Sequence, residues 1–175
     1  MREPISLSNQ PFTIGFEVEV VVMSRSVQDA AKAIGRQGIV EAAMERDVFT
    51  FLKHMIQGLG KEASVYVPGP THNVPDYKVW NITSDNSIEV TTTSMDDTPP
   101  KKRPIRVGVE LISPKFCFTT SDWETDVITV FTSLNQLHWK PNRSTGLHVH
   151  VGVKGREFTL AELKGIAKYV LIFEG

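Results

Sequence analysis

The chain of 175 residues has a single cysteine, almost no net charge and no uninterrupted hydrophobic run long enough for a membrane. One cysteine, Cys117, cannot form an internal disulfide, which suits a reducing compartment. Lying between Phe116 and Phe118, it reads as a small buried hydrophobe, and no partner for a nucleophilic thiol stands near it. A formal net charge of -1 gives no electrostatic case for nucleic acid or a membrane surface as partner. The first eleven residues are polar, and the apolar run behind them is broken by Glu17 and Glu19, which excludes a signal h-region. Cytoplasmic location is therefore expected. What remains, 41% hydrophobic and 22% charged residues, is enough for one domain with a sizeable core.

Residues 1–11 form a loose lead-in, and a strand is expected over about 12–22. A short helix is allowed over 27–34. Val48, Phe51, Leu52, Met55, Ile56 and Leu59 then fall on one helical stripe, predicting a core helix over roughly 38–58 closed by Gly58 and Gly60. Val65-Tyr66-Val67 is a short strand stopped by Pro68, His72 is a solvated loop residue, and 78–83 is a strand anchored by Trp80. In 85–90, alternation puts Asp85, Ser87 and Glu89 on one side and Ile88 and Val90 on the other. A polar connector over 91–106 carries Lys101-Lys102-Arg103, too few basic residues to favour a targeting or anion-binding patch. Two capping boxes, Ser121 with Glu124 and Thr159 with Glu162, open helices. The first ends near His138; the second turns Leu160, Leu163, Ile166, Ala167 and Val170 inward. The chain stops at Phe173-Glu174-Gly175, inside an apolar helical pattern, so a domain truncated at its C-terminus is expected.

Three strands carry the chemistry. In Gly15-Phe16-Glu17-Val18-Glu19-Val20, alternation turns the apolar residues to a core and both glutamates to the other face, roughly 7 Å apart. Carboxylates held that close repel each other unless a cation lies between them. In 106–114, Val107, Val109 and Leu111 face the core, and Glu110 faces away beside Gly108, whose missing side chain leaves room for a close approach. In 145–153, His148 and His150 share the polar face, with Leu147, Val149 and Val151 on the core side. Taken singly, each polar face has a structural explanation, because antiparallel sheets often expose one side to water. Taken together, five potential ligands would converge on one concave surface. A carboxylate-rich set with one or two imidazoles suits Mg²⁺ or Mn²⁺, the usual partners of nucleotide phosphates.

The order Gly15-Phe16-Glu17-Val18-Glu19, Trp80 with Asp85-Asn86-Ser87-Ile88, Gly108-Val109-Glu110-Leu111-Ile112-Ser113-Pro114 and Thr145-Gly146-Leu147-His148-Val149-His150 resembles the amidoligase family. That family is related to glutamine synthetase and the γ-glutamylcysteine ligases. The resemblance covers most of 12–175, read as the N-terminal part of an amidoligase-like catalytic domain. It implies an α+β fold: a curved antiparallel sheet, a glutamine-synthetase-like half-barrel, with helices packed on one face. It also implies ATP-dependent amide formation through an acyl phosphate, with ATP and divalent ions on the concave face. Glu17, Glu19, Glu110 and His148 look like metal ligands. His150 looks like a ligand or phosphate contact, and Gly108 lies where a nucleotide could approach. Asp85 matches an aspartate placed toward the amine, and Arg143 could reach a phosphate. Substrates would be small molecules or peptides bearing a carboxylate and an amine, with no nucleic acid or membrane partner. Domains of this group are longer and draw further arginines and acidic groups from beyond the His strand. The alternatives are a metal-dependent hydrolase built on the His148-x-His150 pair, and a non-catalytic fragment of the ligase fold. The sequence leaves the oligomeric state open, although an open strand edge would invite self-association.

Overall fold

The computed structural model describes residues 12–23, 44–67, 74–90, 106–119, 121–137 and 139–173. The lead-in, the helix allowed over 27–34, His72, His138, most of the polar connector and the last two residues lie outside the described residues.

The longest strand, β1 (Phe12–Met23), is the axis of the sheet. On one side it pairs antiparallel with β4 (Arg106–Ile112) over Glu17–Met23 and with β5 (Phe116–Cys117) at Thr13 and Ile14. On the other side it pairs antiparallel with β6 (Leu147–Val153). Outward from β4 come β3 (Trp80–Thr83), antiparallel, and β2 (Ala63–Val65), parallel to β3. The result is a six-stranded open sheet, antiparallel except at its β2–β3 edge. With three helices among the described residues, the fold is mixed α+β.

Period-two patterning places the core. Phe16, Val18, Val20 and Val22 of β1 lie on the same face as Val109 and Leu111 of β4 and Trp80 and Ile82 of β3. Helix α1 (Met44–Gly58) lays Val48, Leu52 and Ile56 on this face, all fully buried, each worth about 1.5–3 kcal/mol. Helix α2 (Trp123–Leu134) and the 3₁₀ turn after it add Val130, Leu134 and Leu137, while Trp123 stacks on Phe16 at 5.4 Å between ring centroids.

Several expectations are corrected. The segment 84–90 is a turn, not an extended stretch: Ser87 N–H donates to the Asp85 carboxylate at 2.7 Å and Ile88 N–H to the Asp85 carbonyl at 3.2 Å. Asp-Asn-Ser supplies its own backbone acceptors, and this local bonding overrides alternation. The Ser121 capping box does not form, because the Ser121 hydroxyl bonds the Cys117 carbonyl and Asp122 takes the N-cap position. The Thr159 box does form: Thr159 N–H and Oγ1 each donate to Glu162 at 2.8 Å, and Glu162 N–H returns to Thr159 Oγ1 at 3.3 Å. Cys117 is half-buried rather than part of the core.

The largest correction concerns the end of the chain. Leu147, Val149 and Val151 are on the core side of β6, opposite Val18, Phe16 and Ile14, yet all three are more than half exposed. Helix α3 (Leu160–Phe173) has no buried residue, so its apolar stripe does not pack inward. Alternation fixes which face a side chain takes; it does not supply an element to cover that face. No helix among the described residues is long and apolar enough to cross a membrane.

Candidate active site

The strand register brings the polar residues of the three strands together. Glu19 of β1 lies opposite Glu110 of β4, which lies opposite Thr83 of β3. Two residues back along β1, Glu17 lies opposite His148 of β6, and Gly15 opposite His150. Directly paired residues in an antiparallel sheet have Cβ atoms ~4.5–5.5 Å apart. Glu17 Oε2 is 3.0 Å from His150 Nε2 and 3.4 Å from His148 Nδ1, between the two imidazoles. The backbone N–H of Glu19 donates to the Gly146 carbonyl at 2.9 Å, and the residue is buried. A Cβ at Gly146 would stand 3.2 Å from His148 Nε2 and 3.5 Å from Glu19 Oε2, so both groups close over this glycine.

Asp85 reaches the same place from its turn. The Ser87 backbone N–H holds its carboxyl below the ordinary value, helped by a hydrogen bond with the Glu19 side chain and by His148. Glu110 moves the other way: burial, then the negative charges of Glu17, Asp85 and Glu19, push its carboxyl up to about 7, with His148 opposing. Four carboxylates and His148 therefore share one field, and its net sign is negative. Among the described residues no three acidic, histidine or cysteine side chains are yet gathered tightly enough to grip one ion. The donor set nonetheless has the oxygen-rich chemistry of a Mg²⁺ or Mn²⁺ site, and Glu110 registers the negative charge that such an ion would offset.

That shift has a consequence for stability. The unfolded chain releases this proton near pH 4.5, whereas the fold retains it until about pH 7. The stabilising contribution is full below pH 4.5 and is lost as pH rises to about 7. Chelator-treated protein is expected to melt higher at pH 5 than at pH 7.5 through this group. Glu110→Gln should shrink that difference; an unchanged difference in a thermal melt would contradict the assignment.

The remaining sequence candidates divide. Room at Gly108 is taken by the chain itself: a Cβ there would be 3.0 Å from Ile88 Cγ2 and 3.1 Å from Ile88 Cβ. The close approach made at this glycine in the structure is that of Ile88, and the glycine packs the Asp85 turn onto the sheet. Gly108→Ala is expected to cost about 1–3 kcal/mol by overpacking, measurable by urea unfolding, and less in an Ile88→Ala background. Arg143 is exposed and makes no ion pair among the described residues. Its turn is fastened to the Asp85 turn, with Asn142 Nδ2 donating to the Glu89 carbonyl at 2.8 Å and Glu89 N–H to Ser144 Oγ at 2.7 Å.

A cleft of about 460 Å³ opens beside Glu17 and His150, with Tyr77, Ser113, Lys115, Arg156 and Phe158 on its walls. Sequence reasoning gave none of these five a role. Ser113 is buried where β4 ends; its Oγ accepts Phe16 N–H and donates to the Pro114 carbonyl, both at 2.8 Å, fixing β1 next to Glu17. Its Ser-Pro step at a strand end was the available signal. Arg156 grips both oxygens of Glu162 at 2.7 and 2.8 Å, and this pairing with the Thr159 cap takes the Glu162 carboxyl down to about 2.

Comparison with known proteins gives one match. The model of a family described as "Putative amidoligase enzyme" matches residues 10–175. No curated protein and no solved structure matches the chain. The match takes in every described element, including the three strands that carry the carboxylates and imidazoles, and the chain belongs to the amidoligase family.

Proposed function

We propose that the chain carries the metal- and nucleotide-facing part of an ATP-dependent carboxylate–amine ligase. The observation that supports this most is the convergence of Glu17, Glu19, Glu110, Asp85 and His148 from separate strands and a turn. On this reading the open sheet is an arc of a glutamine-synthetase-like half-barrel, with the carboxylates on its concave face, and the enzyme works in the cytoplasm. Glu17, Glu19, Glu110 and His148 would hold Mg²⁺ or Mn²⁺; when bound, such ions neutralise phosphate oxygens during phosphoryl transfer.

The substrate carboxylate attacks the γ-phosphorus of ATP, the bond to ADP breaks, and an acyl phosphate forms. The amine nitrogen then attacks the acyl carbon, loses a proton, and phosphate leaves. His150 faces the cleft, which takes the nucleotide, with Lys115 supplying positive charge near the phosphates. Asp85, kept ionised by the Ser87 N–H, attracts the amine as its ammonium, which gives up one proton to solvent so that its freed nitrogen lone pair can attack the acyl carbon. Arg143, carried on the neighbouring turn, contacts a phosphate. The substrates are small molecules or peptides that present a carboxylate and an amine. Isothermal titration with a non-hydrolysable ATP analogue tests the reading: binding is expected with Mg²⁺ and lost in excess chelator. Nucleotide binding that ignores Mg²⁺, or none at all, would contradict it.

A further inference from the structure

Two turns meet on the carboxylate side of the sheet. One is the Asp85 turn between β3 and β4, which belongs to no strand ladder among the described residues. The other is 141–145, where the chain leaves β1 after the Lys140–Val21 bridge. It returns at Gly146, whose carbonyl accepts the Glu19 N–H. A closed ring of hydrogen bonds joins the two. The Ser144 hydroxyl donates to Asn142 Oδ1 at 2.7 Å. Asn142 Nδ2 donates to the Glu89 carbonyl at 2.8 Å, and Glu89 N–H donates back to Ser144 Oγ at 2.7 Å. Both of these last bonds cross from one turn to the other, so losing either side chain opens the ring. The Asp85 turn also seals one end of the carboxylate face. Val21 shares that face with Glu17 and Glu19 by alternation, lies opposite Gly108, and is buried outside the main core cluster. Ile88, itself buried, stands over Gly108 beside it. Glu19, two residues from this dry plug, is buried too.

We propose that Asn142 is a positioning residue: through this ring it holds the Asp85 carboxylate beside Glu19, in the field of a divalent ion bound by the cluster. Asn142 touches neither ion nor substrate. Its effect runs through the place of Asp85, because the attraction between a carboxylate and a cation falls as their separation grows. Arg143, flanked in its turn by Asn142 and Ser144, is fixed by the same bonds. The inference rests on the ligase reading for the ion alone; the ring is a property of the chain without it. Asn142 is exposed and adds nothing to the core, so its role is separable from folding.

Titration of the whole chain with Mn²⁺, followed by the paramagnetic resonance signal of the free ion, tests the proposal together with hydrogen exchange of the ion-free chain. The Glu89 amide is expected to be protected in the parent and to exchange faster in Asn142→Ala. The same variant should raise the Kd for Mn²⁺ about tenfold, as the loss of an outer-shell partner commonly does. Asp85→Ala should weaken binding as well, and adding Asn142→Ala to it should cost nothing more. A general loosening of the fold would instead add to the loss. Ser144→Ala opens the ring from its other side and should match Asn142→Ala, which keeps the test decisive if that variant fails to fold. An unprotected Glu89 amide in the parent, an unchanged Kd in a folded variant, or full additivity with Asp85→Ala would overturn the proposal and leave the ion site standing. A parent that binds no Mn²⁺ would overturn the ligase reading, and the proposal with it.

Discussion

Replacing Glu17 by Gln is expected to weaken Mg²⁺-dependent nucleotide binding by at least about 100-fold, close to 2.7 kcal/mol. Among the described residues Glu17 is the one carboxylate of the cluster that touches both imidazoles and also lines the cleft, so on the proposed reading the metal donors and the nucleotide pocket would meet at this side chain. Glutamine keeps the volume and can still hydrogen-bond His150, but it brings no negative charge to a divalent ion. Removing one partner of a close charge pair commonly costs about 2–5 kcal/mol, which sets the scale. The fold should be indifferent to the change, because Glu17 is only half-buried and its negative neighbours gain from its neutralisation. Titration calorimetry of the variant beside the parent, with a thermal melt of each, separates lost binding from lost structure. Equal affinities would remove Glu17 from the site.

Trp80→Ala is expected to destabilise the fold by about 3–5 kcal/mol. Trp80 is the largest fully buried side chain among the described residues, opens β3, and meets Phe116 edge-on at 6.5 Å between ring centroids. It thereby ties the β2–β3 edge of the sheet to β5, past the end of β4. Truncation removes its apolar surface from the core and leaves a cavity between helix α1 and the sheet. One feature softens the loss: the indole N–H is buried without a hydrogen-bond partner among the described residues, and that cost disappears with the ring. Trp80→Phe should therefore cost less than about 2 kcal/mol, since it keeps a ring and removes the orphaned donor. Chemical unfolding of the three proteins checks the order, and a Phe variant as unstable as the Ala variant would contradict it.

How far the sequence could be read depended on whether a residue's role was local. The faces of Glu17, Glu19 and Glu110 were legible, because a half-buried strand must alternate and a slip of one residue would turn valines to water. Their partnership was not. Glu19 meets Glu110 across 91 positions, and nothing in either segment states that register. The capping signature shows the same limit: Thr159 and Ser121 look alike in sequence, yet only Thr159 caps, because the helix after Ser121 starts one residue later, with Asp122 at its N-cap, and the Ser121 hydroxyl turns back to the Cys117 carbonyl. The burial expected of Leu147, Val149 and Val151 failed because alternation cannot say whether a second layer lies above a strand. The cleft was invisible for a related reason. Tyr77, Lys115 and Arg156 come from connecting segments with no periodicity, brought together only by the sheet they link. Family resemblance supplied what spacing could not, since its motifs carried the grouping of strands as a unit.

The central claim is that carboxylates from β1 and β4 and an imidazole from β6 share one cation. Anomalous diffraction from crystals soaked in Mn²⁺ tests it most directly. The expected result is a peak within coordination distance of Glu17, Glu19 and Glu110, about 2.1–2.3 Å from their oxygens. Manganese found only at other surfaces, or no peak at a concentration that saturates binding in solution, would contradict it.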